Sequence, residues 1–249
     1  MLLDVVFTPD SLPDISSDRD IVVVIDVLRA STTMCAMLHH GARRIRIASS
    51  VDHALQLHAA SQSVGAGYRT LLAGERAGLP PEGFDMGNSP LDAREERMKD
   101  AVVTYATTNG TLMLHRTRSA RMQLVGCFAN LSALLNTVVA STSANVKNAR
   151  IILCCSGNDG GFSLEDSFFA GSFLSRYIAL GFGQDLTNAA EAALCIVSSH
   201  NHSLVVGSEG SRHGRVLASL GLGQDVGACF TEDVYPVVPV CEDMVVRRL

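Results

Sequence analysis

Val102-Val-Thr-Tyr-Ala-Thr-Thr-Asn-Gly-Thr111 is the stretch from which the rest of the chain can be read. A β-rich run, Val102 to Ala106, ends in small hydroxyls, an amide and a glycine, and a helical pattern from Leu112 to Arg118 follows at once. In a parallel sheet this order places the polar cluster at the carboxyl end of a strand and the amino end of a helix. Free backbone N–H groups and the positive end of the helix dipole favour an anion there. Thr107, Thr108, Asn109 and Thr111 add side-chain donors, and Gly110 lets the backbone approach closely. Two readings stand side by side: a cradle for a phosphate or sulfonate, and a plain strand-to-helix turn capped by Thr or Asn.

The same theme recurs outward in both directions. Ile21–Ile25 ends in Asp26-Val-Leu-Arg-Ala-Ser-Thr-Thr33 before a helical Met34–His40, and Arg44–Ala48 ends in Ser49-Ser50 before Asp52–Ala60. Thr70–Ala73 ends in Gly74-Glu-Arg76, and Met122–Val125 ends in Gly126-Cys127 before Leu131–Ala140. Ile151–Cys155 ends in Ser156-Gly-Asn-Asp-Gly-Gly161 before Leu164–Ile178. Near-continuous apolar strands separated by helices imply a sheet buried on both faces. The expected class is α/β, a three-layer α/β/α arrangement around a mostly parallel, mixed sheet. Leu2–Phe7 adds a first strand, and Leu186–Ser199 and Arg212–Leu220 read as helices. Val234–Val240 holds Pro236 and Pro239, which assigns it to a sheet edge. No Ser/Gly/Pro linker divides the chain, so 1–249 is read as one domain.

The totals narrow the function. An apolar content of 47% with 18% charged residues over 249 positions gives a sizeable aliphatic core and argues against disorder. A net charge of −5 offers no basic face for nucleic acid and no polybasic membrane anchor. No apolar run reaches the roughly 18 residues of a membrane span, and Met1–Asp10 lacks the basic start of a secretory signal. Seven cysteines without a C-x-x-C read as free, mostly buried thiols. A cytoplasmic protein is expected, and the general frequency of C2 dimers makes a homodimer the default assembly.

Ligands of open α/β sheets bind beyond the carboxyl ends of the strands, where all these polar clusters fall. Asp26 ends an apolar strand, a costly place for a carboxylate unless a cation or hydrogen bonds meet it. It can ligate Mg²⁺, accept a phosphoryl group, or merely cap the next turn. Arg29 carries a fork suited to phosphate oxygens, or to a salt bridge. Gly74–Pro90 is too long and too rich in Gly and Pro for a mere connection. Within it Glu75 and Asp85 are candidate ligands for a hard cation. Asn88 and Ser89 either touch substrate or start a helix at Pro90. In the Ser156–Gly161 loop Asn158 and Asp159 are further candidates, Ser163 with Asp166 reads as a helix cap, and Glu165 is the less explained acid. Other chemistries fail on spacing. No Arg lies six positions after Cys155, as a cysteine phosphatase loop requires, and the second Asp of a haloacid dehalogenase would fall at Leu28. Gly65-Ala-Gly67 lacks the third glycine of a dinucleotide loop, and no G-K-[ST] P-loop exists. His200-x-His202 falls in a polar turn and reads as exposed rather than metal-binding.

Four motifs in order resemble the 2-phosphosulfolactate phosphatase family of the coenzyme M pathway. They are Ile25-Asp-Val-Leu-Arg-Ala-Ser-Thr-Thr33, Gly74–Pro90, Thr107-Thr-Asn-Gly-Thr111 and Gly157-Asn-Asp-Gly-Gly-Phe-Ser-Leu-Glu-Asp166, with a looser match in the last third. The resemblance implies a Mg²⁺-dependent phosphomonoesterase acting on a small 2-phospho-3-sulfonate acid, on an α/β/α fold distinct from the common phosphatase folds. On that basis Asp26 with one or both of Glu75 and Asp85 is expected to hold Mg²⁺, which takes only one or two carboxylates beside phosphate and water, with Asp26, Arg29 and Glu75 as catalytic groups. Thr32, Asn88, Ser89, the Thr107–Thr111 loop, Asn158 and Asp159 are expected to bind substrate. A non-catalytic binder of small phosphorylated or sulfonated acids is the alternative; three acids near an anion site argue against it unless a cation intervenes.

Overall fold

The computed structural model describes residues 1–63, 68–142, 149–183, 185–199 and 211–249. Gly65–Gly67 and His200-x-His202 lie outside the described residues. Ten strands join one sheet: β1 (Leu2–Val6), β2 (Asp20–Ile25), β3 (Arg44–Ile47), β4 (Thr70–Gly74), β5 (Val102–Ala106), β6 (Met122–Gly126), β7 (Arg150–Cys155), β8 (Asp185–Leu186), β9 (Pro239–Glu242) and β10 (Val245–Arg248), in the order β4-β5-β3-β10-β9-β6-β2-β7-β1-β8. The helices are α1 (Ala30–His39), α2 (Val51–Ser63), α3 (Glu95–Met98), α4 (Gly110–Arg116), α5 (Leu131–Thr142), α6 (Leu164–Ala179), α7 (Asn188–Ser199), α8 (Arg212–Ser219) and α9 (Gly223–Cys229).

The layers follow from the two-residue period of the strands. In β2, Ile21, Val23 and Ile25 point into a core shared with α5, α6 and α7. Val22 and Val24 point the other way, against α1, α4 and Met98 of α3. Every residue of β2 is buried, and each such aliphatic side chain contributes about 1.5–3 kcal/mol on leaving water. On β4 and β5 the second face is covered by α2 through Ala54 and Leu57 against Leu72 and Ala106. The three-layer α/β/α expectation holds.

The sheet has two parallel blocks, β4-β5-β3 and β6-β2-β7-β1-β8. The hairpin β9–β10 joins them through three antiparallel pairings, so the blocks run in opposite directions. In a flat sheet the carboxyl ends of β2 and β5 would lie at opposite edges, five strands or about 24 Å apart laterally. They touch instead: a Cβ placed on Gly110, just past β5, would lie 2.8 Å from Asp26 Oδ2. The sheet therefore turns over across the hairpin, where the β6–β9 seam is a single pair, Leu124↔Val240.

The expected edge strand at Val234–Val240 is corrected by the same hairpin. The observed strand begins at Pro239 and lies inside the sheet, between β10 and β6. Pro239 is its first residue, where the missing N–H costs least, and Pro236 stays outside. Asp243 and Met244 link the two strands with φ of 49° and 59°, the geometry of a type I′ turn.

Candidate functional site

The two strand ends meet in a crevice of about 720 Å³. Asp26 forms its floor. The Asp26 carboxylate sits at the start of α1, where Ala30 N–H donates to Oδ1 at 3.0 Å and the helix dipole favours negative charge. The Asp26 N–H donates to Ser31 Oγ, and Ser31 N–H returns to the Asp26 carbonyl, both at 2.9 Å. These bonds fix the turn and leave Oδ2 without a hydrogen bond among the described residues. Burial pushes the Asp26 carboxyl up to about 7; the Ala30 amide opposes this, Glu75 and Glu165 add to it, and Arg29 offsets it. Gly110 is required opposite, because any Cβ there would strike Ala30 Cβ at 2.7 Å as well as the carboxylate.

Glu75 reaches the crevice from the end of β4. Its two oxygens accept from Gly78 N–H at 3.0 Å and from Thr108 N–H at 2.8 Å. A protein carboxylate thus occupies one of the amides that the sequence offered to a phosphate. Arg29 also lines the crevice, but its terminal nitrogens are committed to Asp225 Oδ2 at 2.6 Å and to the Gly78 carbonyl at 2.7 Å. That ion pair is almost wholly buried. Asp225 accepts Ser89 Oγ too, at 2.7 Å, so one carboxylate ties α9 to the Arg29 turn and to the long loop.

Eight of the expected residues line the crevice: Asp26, Arg29, Glu75, Asn88, Thr108, Asn109, Asn158 and Asp159. Asn88 is held by the Tyr105 hydroxyl on its Oδ1 and by Thr33 Oγ1 on its carbonyl. The Asn158 turn closes on itself through reciprocal backbone bonds with Gly161, and position 157 needs glycine both for its φ of +71° and because a Cβ there would lie 2.4 Å from the Gly161 carbonyl.

Five other expected contacts turn inward. Thr32 is fully buried and donates to the Val27 carbonyl. Thr111 Oγ1 donates to the Thr107 carbonyl at 2.8 Å, and Thr107 Oγ1 accepts the Thr111 amide at 3.3 Å. Ser89 is engaged with Asp225, and Gly110 serves as close packing. Asp85 is corrected most clearly. It is exposed, and its Oδ2 accepts Leu72 N–H at 2.7 Å, tying the long loop to β4 instead of entering the crevice. Of the two acids expected to join Asp26, Glu75 reaches the crevice and Asp85 does not, and among the described residues no three His, Cys, Asp or Glu form a ready-made metal cage.

The structure adds groups that sequence reasoning passed over. Arg76, Arg212 and His213 bring cationic or protonatable side chains to the crevice, the last two from the start of α8. Glu165 accepts Ser211 Oγ at 2.8 Å, and Ser211 in turn caps α8. Asp166, which the sequence placed in a helix cap with Ser163, does receive that cap on its amide. Its side chain does more: Oδ1 accepts Val27 N–H at 2.9 Å and Oδ2 accepts Gly157 N–H at 3.2 Å, joining two crevice loops. Burial, with Asp26 and Glu165 adding to it, raises the Asp166 carboxyl well above the usual range.

The arrangement is an acidic floor with hydrogen-bond donors and basic side chains around it, suited to an anion that arrives with a cation. A family model described as 2-phosphosulpholactate phosphatase matches residues 6–244. A probable 2-phosphosulfolactate phosphatase of Synechococcus sp. is 37% identical over 94% of this chain and 93% of its own length. One from Thermotoga petrophila is 34% identical over 96% and 94%. Among the described residues no helix is long and apolar enough to cross a membrane. With a match that runs from β1 to the hairpin turn, the chain belongs to the 2-phosphosulfolactate phosphatase family.

Proposed function

We propose that the protein hydrolyses the phosphate ester of 2-phospho-3-sulfolactate, or of a closely related small 2-phospho acid, with Mg²⁺ as cofactor. The observation that carries this reading is the buried Asp26 carboxylate, its Oδ2 without a hydrogen bond among the described residues, at the floor of a crevice that also holds basic side chains. The donor set fits Mg²⁺: hard carboxylate oxygens from Asp26 and Glu75, with room for substrate and water as further ligands. Bound there, Mg²⁺ would neutralise charge on the phosphate and polarise its P–O bonds.

The remaining work falls to the chain. The Asp26 turn is held rigid by Ser31 and Ala30, so the carboxylate does not have to reorganise when the phosphoryl group arrives. Asn88 and Asn109 offer neutral donors on the crevice wall, and Arg76, Arg212 and His213 offer charge to the carboxylate and sulfonate of the substrate. A passive anion binder is disfavoured, because Asp26, Glu75 and Glu165 would repel an unaccompanied anion.

Phosphate release from 2-phospho-3-sulfolactate and from phospho acids lacking the sulfonate, each with Mg²⁺ and with EDTA, tests the reading. Metal-dependent release that favours the sulfonate supports it in full. Release only from other phospho acids moves the substrate and keeps the chemistry. No release from folded, metal-supplied protein refutes it.

A further inference from the structure

Ser156 follows β7 directly, and its amide donates to the Ile25 carbonyl at 2.7 Å. This extends the β2–β7 register one step beyond Ile25↔Cys155 and sets Ser156 beside Asp26. Val22 and Val24 share one face of the sheet with Ile152 and Cys154, whereas Ile21, Val23 and Ile25 share the other with Ile151, Leu153 and Cys155. The two-residue period therefore turns Asp26 and Ser156 to the same face, toward α1 and α4.

Around Asp26 the neighbouring hydroxyls are satisfied. Ser31 accepts the Asp26 amide, Thr32 donates to Val27, and Thr107 and Thr111 serve each other's backbone. Ser156 differs. It is 1% exposed, and its Oγ has no hydrogen-bond partner among the described residues. An unpaired hydroxyl in a dry place is destabilising, and a native fold keeps few of them. Just past β7, one strand over from the carboxylate on the crevice floor and two residues before the crevice residue Asn158, the missing partner is best supplied by the ligand.

We propose that Ser156 is a catalytic residue whose hydroxyl donates a hydrogen bond to a non-bridging oxygen of the phosphoryl group held beside Asp26. This rests on the phosphatase reading and adds a group that it does not contain. A neutral donor suits the position, because it supports charge on the phosphoryl oxygens without competing with the carboxylate for a cation. The bond also resolves the unpaired hydroxyl, so Ser156 is more comfortable with ligand bound than without.

Ser156→Ala and Ser156→Cys, compared with wild type, test the assignment through turnover, thermal midpoint and affinity for inorganic phosphate. In Ser156→Ala the midpoint is expected to stay level or rise, since the deleted hydroxyl had no partner. Its kcat is expected to fall by about 100- to 1,000-fold, the range for loss of one transition-state donor, with KM changed less than about threefold. Inorganic phosphate should bind about tenfold more weakly, and Ser156→Cys, a poorer donor, should fall between. Unchanged kcat and unchanged phosphate affinity would overturn the proposal, as would loss of activity that tracks a lowered midpoint. A phosphoserine trapped at this position during turnover would overturn the donor role in favour of a nucleophile. If the wild type releases no phosphate from any ester, the function reading fails, while phosphate affinity still decides whether Ser156 contacts the anion.

Discussion

Two strand-to-helix turns meet at this site, and they use similar residues in opposite ways. At the end of β5, Thr107 and Thr111 spend their hydroxyls on one another's backbone, and the Thr108 amide is taken by Glu75. At the end of β2, Ser31 and Ala30 brace a carboxylate whose second oxygen stays open to the crevice. The first turn is a wall that holds itself; the second holds something for the ligand. Polar residues at a strand end thus reveal where a site lies, while the direction in which each one points decides what it does.

Substitutions on the two turns should separate sharply, and the largest effect belongs to Asp26. Asp26→Asn is expected to lower kcat by about 10²- to 10³-fold while the unfolding midpoint holds or rises, because a poorly solvated charge is removed. The same variant tests pH dependence in metal-free protein. With the carboxyl raised from 3.8 to about 7 on folding, the folded state binds more protons between those values. Stability therefore falls as pH rises through that window, and Asp26→Asn should flatten the slope. Parallel stability profiles for wild type and Asp26→Asn from pH 4 to 7 in EDTA would contradict the raised carboxyl.

Next comes the clamp behind the Asp26 turn. Arg29→Met leaves Asp225 buried and unpaired, a loss of about 3–5 kcal/mol by urea denaturation. The double variant Arg29→Met with Asp225→Leu should recover most of it, since two apolar groups replace a desolvated pair. Equal stability of single variant and wild type would show that the pair is not the tie described.

Glu75→Gln probes the bridge between the turns. A neutral amide has one accepting oxygen where the carboxylate has two, so it gives up the Thr108 or the Gly78 amide, and kcat/KM should fall about tenfold, or about 1.4 kcal/mol. If Glu75 also holds the cation, half-maximal activity will need more Mg²⁺; an unchanged Mg²⁺ requirement leaves it as a loop tie alone. The smallest effect belongs to the wall. Thr111→Val should cost about 1 kcal/mol of stability with kcat unchanged, and a tenfold loss of kcat would return the hydroxyl to the substrate.

The same contrast explains what could be read before the structure. The β2, β5 and β7 boundaries and the layering were legible because apolar runs and their polar terminators are local signals. Asp26, Glu75 and Asn88 could be named as crevice residues because unusual polar positions stand out at strand ends. Asp85 could not be told from Glu75, since both are acids in one long loop and only the path of that loop sends one to Leu72. Arg212 and His213 were passed over because they open an ordinary-looking helix and reach the site through tertiary packing. Ser156 lay inside a loop already singled out, but its unpaired state depends on burial and register, which no spacing discloses. The hairpin was missed because its turn is Asp243-Met244, without the glycine that usually accompanies two positive φ angles.

That hairpin also bears on the order in which the chain is made. The strands that β9 and β10 join, β6 and β3, emerge from the ribosome well before their partners and carry unpaired backbone edges until the hairpin arrives. During synthesis the nascent chain therefore exposes two internal sheet edges, surfaces prone to pairing with other chains. Arrival of residues 239–248 closes both at once and draws the two blocks, with their halves of the crevice, into register. Catalytic competence should therefore appear abruptly, and only once residues 239–248 have emerged.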